Sequence, residues 1–402
     1  MNPLPLVRAM LRRDAGTSGV FVALIALAVG IAAAITAQER ALRSGSARAA
    51  DKFDLIVAAP GSQTDLLLKV VFLQMGSVEL LDGEPLRRLM SETRAEFVAP
   101  IGFGDSYDGD PVVGTIAALI DHLADGKLAG RGFESRHEVV VGAGSALAIG
   151  EAFQVTHGHG AEAFLGDRHP QELKVVGRLP PTGSPWDRAI LVPIEFVWEV
   201  HGLPDGHQAA HETAIGPPFD PDRLPGIPAA VVKPATIAAA YGLRSEWRTT
   251  ETMAFFPAEV LVELYELLGD VRVVMSWLAI ATEILLIGAV LAGILILMRL
   301  YRGRFAILRA LGASRLYVFV VAWSFGFVLI AAGSLLGLGV AALLTGVVSR
   351  IFEHASGIAL DGGIGWSEFA FVAAVVGAGA LLAVVPAALI YRQPVVEALR
   401  AA

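Results

Sequence analysis

The chain has 402 residues, of which 54% are hydrophobic and 17% are charged, and its formal net charge is −8. The apolar content and a mean hydropathy of +0.60 indicate a membrane protein, but the charged share is too large for membrane spans alone. The acidic balance argues against nucleic acid as a partner, and the absence of cysteine excludes disulfide bonds.

The first predicted elements are a short N-terminal segment, residues 1–18, and a membrane span over residues 19–38. The run from Ala15 to Gln38 has no charged residue and exceeds the roughly 20 residues that cross a bilayer. The alternative is a signal peptide cleaved near Ala34. We expect an uncleaved anchor because the apolar run is longer than a typical signal sequence, and we expect its helix to continue as a stalk to about residue 52.

A large external α+β domain is predicted for residues 53–256. The charge of the chain is concentrated here: the block from Glu39 to Arg272 holds 20 Lys and Arg against 33 Asp and Glu. Segments that look helical are Leu66–Leu73 and Pro85–Arg94, and Val231–Tyr241 looks like a strand followed by a helix. Short β-branched runs bounded by Gly or Pro predict strands at Glu138–Gly142, Phe153–Thr156, Leu173–Leu179 and Ala189–Pro193.

Histidines are concentrated in this domain, since six of the nine fall between His157 and His211. Neutral imidazoles at such spacings can bind zinc or a similar metal. No motif defines the geometry, and the alternative is a surface loop rich in His and Gly. The candidate metal ligands are His157, His159, His201, His207 and His211.

A second stalk and span are predicted for residues 257–298. Apolar residues at helical spacing continue into the run Val273–Met298, whose one charged residue is Glu283. An acid inside a membrane span is a functional candidate by default. The alternative for Glu283 is a carboxylate that is hydrogen-bonded at a dimer interface.

The next segment, residues 299–315, carries five arginines and no acid. A short basic loop between two spans lies on the cytoplasmic side. Phe305, Leu308 and Leu311 recur at spacing three, as on one face of a short helix, and Gly312 stands where a helix would end. The alternative is a basic anchor that only sets the topology.

Two further spans are predicted, at residues 316–349 and 369–391. They are joined by a short external loop, 350–368, and followed by a cytoplasmic tail, 392–402. With four spans, both chain ends lie on the cytoplasmic side. The Gly333-x-x-x-Gly337 motif in the third span permits close helix packing.

Four sequence stretches point to one family. They are AILRALGAS at Ala306–Ser314, the tail residues Pro394, Ala398, Leu399 and Arg400, EVVVGAGSALAIGEAF at Glu138–Phe153, and LKVVGRLPPTG at Leu173–Gly183. In this order, with one span before the external domain and three after it, the chain resembles the permeases of MacB/FtsX-type (type VII) ABC transporters.

The resemblance implies a bacterial inner-membrane permease with a periplasmic domain, working as a homodimer. A separate cytoplasmic ATPase dimer would bind ATP and Mg, and its motion would be transmitted to the periplasmic domain to export or extract a substrate. A periplasmic adaptor or substrate-binding protein is a further implied partner. The implied ATPase-coupling residues are Arg302, Arg304, Phe305, Ala306, Leu308, Arg309, Leu311 and Gly312. The family usually has Glu at the position of Arg304.

No enzymatic activity is expected of the chain itself. Its one Gly-Lys pair, Gly126–Lys127, is followed by Leu128 and lacks the Gly-rich lead of a nucleotide-binding loop. Two alternative functions stay open: an FtsX-like signal relay that controls a periplasmic hydrolase, and a zinc-linked transport accessory.

Overall fold

The structure is a computed structural model. It describes residues 2–74, 76–158, 168–208, 213–266 and 301–391, together with 277, 284, 288, 291–293 and 295–296. The chain divides into a helical unit, Met1–Leu42, Gly269–Ile351 and Asp361–Ala402, and an α+β unit, Arg43–Leu268 and Phe352–Leu360.

Three helical stretches among the described residues are long and apolar enough to cross a membrane: Ala15–Ala50, Arg315–His354 and Trp366–Leu389. They include the predicted first and third spans and most of the fourth. The predicted second stalk and span, 257–298, is helical over 257–266 but otherwise lies largely outside the described residues, as does Glu283. The count of four spans therefore stays a prediction.

Apart from the helical residues at 257–266, the α-helices with both ends among the described residues are, in chain order, α1 (Leu4–Arg13), α2 (Ala15–Ala50), α3 (Gln63–Val70), α4 (Gly83–Met90), α5 (Ala117–Ala124), α6 (Ile194–Val200), α7 (Ile237–Glu246), α8 (Arg302–Ala310), α9 (Arg315–Ser356), α10 (Trp366–Leu382) and α11 (Val384–Tyr391). The short break before α11 has a local cause. Pro386 lacks an N–H group and leaves the carbonyl of Leu382 without its helical partner.

Glycines in α9 allow it to pack closely against α2. A Cβ atom on Gly333 would lie 2.6 Å from the Cβ of Ile25, and one on Gly337 would lie 2.9 Å from the Cβ of Val29. Within a lipid bilayer the hydrophobic effect does not drive helices together. Small residues favour association there because they let two helix backbones come close and pack. The close packing predicted for this motif is therefore present, and its partner is the first span of the same chain.

The described part of the α+β unit contains twelve strands: β1 (Leu55–Ala58), β2 (Ala95–Ile101), β3 (Asp105–Tyr107), β4 (Asp110–Thr115), β5 (Ala129–Gly130), β6 (Glu138–Val141), β7 (Ala152–Phe153), β8 (Thr156–His157), β9 (Leu173–Arg178), β10 (Ile190–Pro193), β11 (Ala229–Pro234) and β12 (Met253–Phe255). They form an antiparallel sheet with strand order β12-β1-β11-β2 and an eight-stranded sheet with strand order β5-β9-β6-β10-β4-β3-β8, in which β7 also pairs with β9.

The sequence located most of the elements that it predicted in this unit. The strands at 138, 173 and 190 and the strand–helix pair β11–α7 are confirmed, and the two predicted early helices begin two or three residues earlier than expected. The single strand predicted at Phe153–Thr156 is wrong. It divides into β7, which pairs with β9, and β8, which pairs with β3.

Helix α6 approaches the larger sheet where that sheet lacks side chains. A Cβ atom on Gly114 would lie 2.5 Å from Val197 Cγ2, and one on Gly102 would lie 2.7 Å from Ile194 Cδ1. The parallel pairing of β10 with β4 directs the helix that follows β10 across this surface. As a result, the C-terminal end of α6 reaches β3.

Candidate functional site

The basic segment contains a short helix, α8, with a defined end. Gly312 has a φ of +98°, the left-handed region that favours glycine. The N–H of Gly312 donates to the carbonyl of Arg309 at 3.1 Å, and the N–H of Ala313 donates to that of Leu308 at 3.0 Å. These two bonds form a Schellman motif, so the predicted role of Gly312 is confirmed.

One face of α8 packs inside the helical unit. The side chains of Phe305 and Ala306 are each only 3% exposed. Phe305 belongs to a buried cluster with Tyr301, Val7 of α1 and Phe325 of α9. The expectation that Phe305 offers an apolar surface to a partner is therefore wrong, because this chain already covers the side chain.

The opposite face of α8 carries the exposed apolar residues. Leu311 is 81% exposed and Ile307, four residues earlier, is 52% exposed. Leu308 lies between the two faces and packs partly against the buried cluster. Beside Leu308 and Leu311, an apolar groove of about 470 Å³ is bounded on its other side by Pro5, Leu6 and Ala9 of the α1 segment.

Arg304 has partners within this unit. Its guanidinium lies 3.7 Å from the Asp14 carboxylate, and its Cζ lies 4.8 Å from the centre of the Tyr301 ring. The Tyr301 hydroxyl also donates to Asp14. Burial and this carboxylate raise the pKa of Tyr301 to about 12. Asp14 thus gives the basic Arg304 an acidic partner within this chain.

A second group of polar side chains converges in the α+β unit, around Asp105. Asp105 of β3 and His157 of β8 are direct partners in the antiparallel ladder, which brings His157 Nδ1 to 3.3 Å from Asp105 Oδ1. His169 reaches the same oxygen with Nε2 at 3.0 Å. The backbone N–H of His169 donates to Val155 and so holds this residue beside β8.

His201, at the C-terminal end of α6, completes the group. Its Nε2 lies 3.9 Å from Asp105 Oδ1, and its Nδ1 lies 2.7 Å from the carbonyl of Val197. Gly104 makes room for the ring, because a Cβ atom there would lie 2.6 Å from Cε1 and Nε2 of His201. We call Asp105, His157, His169 and His201 the histidine cluster.

The predicted metal ligands are only partly brought together. His157 and His201 lie in the histidine cluster, whereas His159 and His211 lie outside the described residues. His207 is elsewhere: its Nε2 lies 3.0 Å from Glu195 Oε1, and both side chains are buried. Burial raises the pKa of Glu195. The structure therefore does not place His207 with His157 and His201, and its role as a metal ligand stays a prediction.

Sequence reasoning missed two members of the cluster, His169 and Asp105. His169 is one of the six histidines between His157 and His211, so the concentration of histidines in this stretch could have suggested it. Asp105 is one acid in an acidic domain, and only the register of β3 against β8 distinguishes it.

No protein-family model matches this chain, and neither does any curated protein. Among solved structures, the periplasmic region of MacB from Actinobacillus actinomycetemcomitans aligns with 55% of this chain and 95% of its own length, at 13% identity and a TM-score of 0.33. The extracellular domain of the noncanonical ABC-type transporter YknZ from Gram-positive bacteria aligns with 50% and 98%, at 12% identity and a TM-score of 0.28. Similarity at these TM-scores does not establish a shared fold.

Proposed function

We propose that this chain is the membrane-spanning subunit of an ABC transporter of the MacB/FtsX type. The observation that carries the proposal is α8, a short basic helix with a glycine-terminated end and exposed apolar side chains, which directly precedes the membrane-length helix α9. In this proposal α8 faces the cytoplasm and docks on a separate ATPase subunit. Two copies of the chain pair with two ATPase subunits.

The exposed side chains of α8 supply the docking energy. Burying Ile307 and Leu311 in a groove of the ATPase would contribute about 1.5–3 kcal/mol each. The arginines around them would contribute mainly orientation and association rate, because exposed ion pairs are worth only about 0–1 kcal/mol.

The buried face of α8 would transmit the motion. Phe305 and Tyr301 pack against Phe325 of α9 and against α1, so displacing α8 also displaces these neighbours. Helix α9 in turn lies in close contact with α2 through its glycines. Close-packed interfaces shift as units because they cannot deform continuously. A push on α8 would therefore tilt α9 and α2 together and carry ATP-driven movement toward the external face.

The subunit assignment is tested by co-purification. We expect the full-length chain, co-expressed with the ABC ATPase encoded nearest to its gene, to co-purify with it and to raise its ATPase activity in lipid nanodiscs. An ATPase subunit that neither co-purifies nor changes its rate would contradict the proposal. An ATPase from an unrelated importer is the negative control.

The proposed orientation predicts which sites a membrane-impermeant thiol reagent reaches in intact cells. The chain has no native cysteine, so single cysteines are free of background. We expect Ser135→Cys in the α+β unit to be labelled in cells whose outer membrane has been permeabilised. Ala310→Cys on α8 should be labelled only after lysis. The reverse pattern would refute the orientation; the unaltered chain is the control.

A further inference from the structure

We infer that Asp105, His157, His169 and His201 form a binding site for a divalent transition-metal ion of the zinc class. This inference goes beyond the proposed function and does not rest on it, since the site lies within the α+β unit and ion binding is measured without an ATPase. Three imidazole nitrogens and one carboxylate oxygen match the ligands of zinc, copper and nickel, whereas calcium and magnesium prefer oxygen ligands.

The spacing of the donor atoms fits a small four-coordinate ion. The ligand atoms of Asp105, His157 and His169 all lie within 4.8 Å of one another. From Asp105 Oδ1 the three histidine nitrogens lie at 3.0, 3.3 and 3.9 Å. Bond lengths of 2.0–2.1 Å in a tetrahedral zinc site separate the ligand atoms by about 3.3 Å. Asp105, His157 and His169 are therefore close to the spacing of three ligands of one ion, and His201 would have to move nearer to complete the four.

The His201 ring is held in place by a hydrogen bond to a backbone carbonyl, as the rings of metal-binding histidines usually are. The bond between His201 Nδ1 and the Val197 carbonyl requires Nδ1 to carry the proton. In the neutral ring, Nε2 then carries the free lone pair and lies 3.9 Å from Asp105 Oδ1. Metal-binding histidines usually donate their other ring N–H to a carbonyl or carboxylate in this way. A ring that served only to donate a hydrogen bond to Asp105 would need the opposite tautomer or a positive charge.

Asp105 itself points to a ligand. Its side chain is 1% exposed, and Oδ2 has no hydrogen-bond partner among the described residues. A buried carboxylate is costly unless it is paired or coordinates a metal. A bound cation would supply the missing interaction. His157 is 56% exposed, which leaves a path for the ion to enter from solvent.

A hydrogen-bonded cluster without a metal is the competing explanation, and the two make different predictions. Asp105→Asn keeps an oxygen that can accept from His169 but removes the negative charge. His169→Gln and His201→Gln keep a polar side chain of similar reach but remove the imidazole. If the cluster only holds the fold together, these variants change stability and leave metal affinity unchanged.

The test uses the full-length chain in detergent, purified with a tag that contains no histidine and stripped with EDTA. We expect one Zn²⁺ per chain in competition with a chromogenic chelator, and Co²⁺ should give the absorption bands of a tetrahedral site. Asp105→Asn, His169→Gln and His201→Gln should each lower Zn²⁺ affinity by more than about 100-fold, because even outer contacts of metal sites cost 10–100-fold.

The matched control is His354→Gln, an exposed histidine outside the cluster, which should bind Zn²⁺ as the unaltered chain does. Should Asp105→Asn fail to fold, His201→Gln decides the question, since its side chain is 24% exposed. Added Zn²⁺ should also raise the unfolding temperature of the unaltered chain and not that of the variants. An unaltered chain that binds no Zn²⁺, or cluster variants that bind as tightly as His354→Gln, would overturn the inference.

Discussion

Leu311→Asp is expected to abolish the stimulation of the partner ATPase and to weaken its binding by at least about tenfold. The side chain is 81% exposed at the end of α8, so the substitution should leave the described part of the fold intact. Losing its burial in the complex removes about 1.5–3 kcal/mol, and every 1.4 kcal/mol is tenfold in affinity. The carboxylate adds a desolvation cost. Binding and ATPase rate in nanodiscs measure the effect, and Ile307→Asp should act in the same direction.

The control for Leu311→Asp is Ile149→Asp, which places the same charge at a residue that is 49% exposed in the α+β unit. It should assemble and stimulate normally. Leu308→Asp is less informative, because Leu308 packs partly against the buried cluster and its loss should destabilise the helical unit. A Leu311→Asp complex with full assembly and full stimulation would exclude this face of α8 as the docking surface.

Gly333→Val is expected to destabilise the helical unit strongly. The new Cβ atom would stand 2.6 Å from the Cβ of Ile25, closer than van der Waals contact allows, so α2 and α9 must separate. Forcing extra atoms into a packed interface typically costs about 1–3 kcal/mol. Because both helices would carry the proposed motion, ATPase stimulation should fall as well. The unfolding temperature in detergent and the stimulated ATPase rate are the measurements.

Gly339→Val is the matched control, since it lies in the same helix and a Cβ atom there meets no described residue within 4 Å. Both variants exchange Gly for the same β-branched residue, so their difference isolates the contact with α2. If both lower the unfolding temperature equally, the close packing of Gly333 on Ile25 does not contribute to stability.

The sequence alone was sufficient to predict features that depend on residues close to one another along the chain. An uninterrupted apolar run identifies a membrane-length helix, because a bilayer requires length and low charge. Gly312 could be predicted as a helix end, because its left-handed backbone favours glycine. The strands at 138, 173 and 190 could be located because each is a short β-branched run bounded by turn residues.

Features that depend on which segments meet were decided by the tertiary structure. The apolar residues of α8 lie on two faces, and the sequence of α8 cannot tell that α1 and α9 cover Phe305 and leave Leu311 exposed. The same holds for the histidine cluster, whose members come from β3, β8, the segment before β9 and the end of α6. His207 was as good a candidate by spacing as His201. Only the strand register and the passage of α6 over Gly102 and Gly114 bring His201, and not His207, to Asp105.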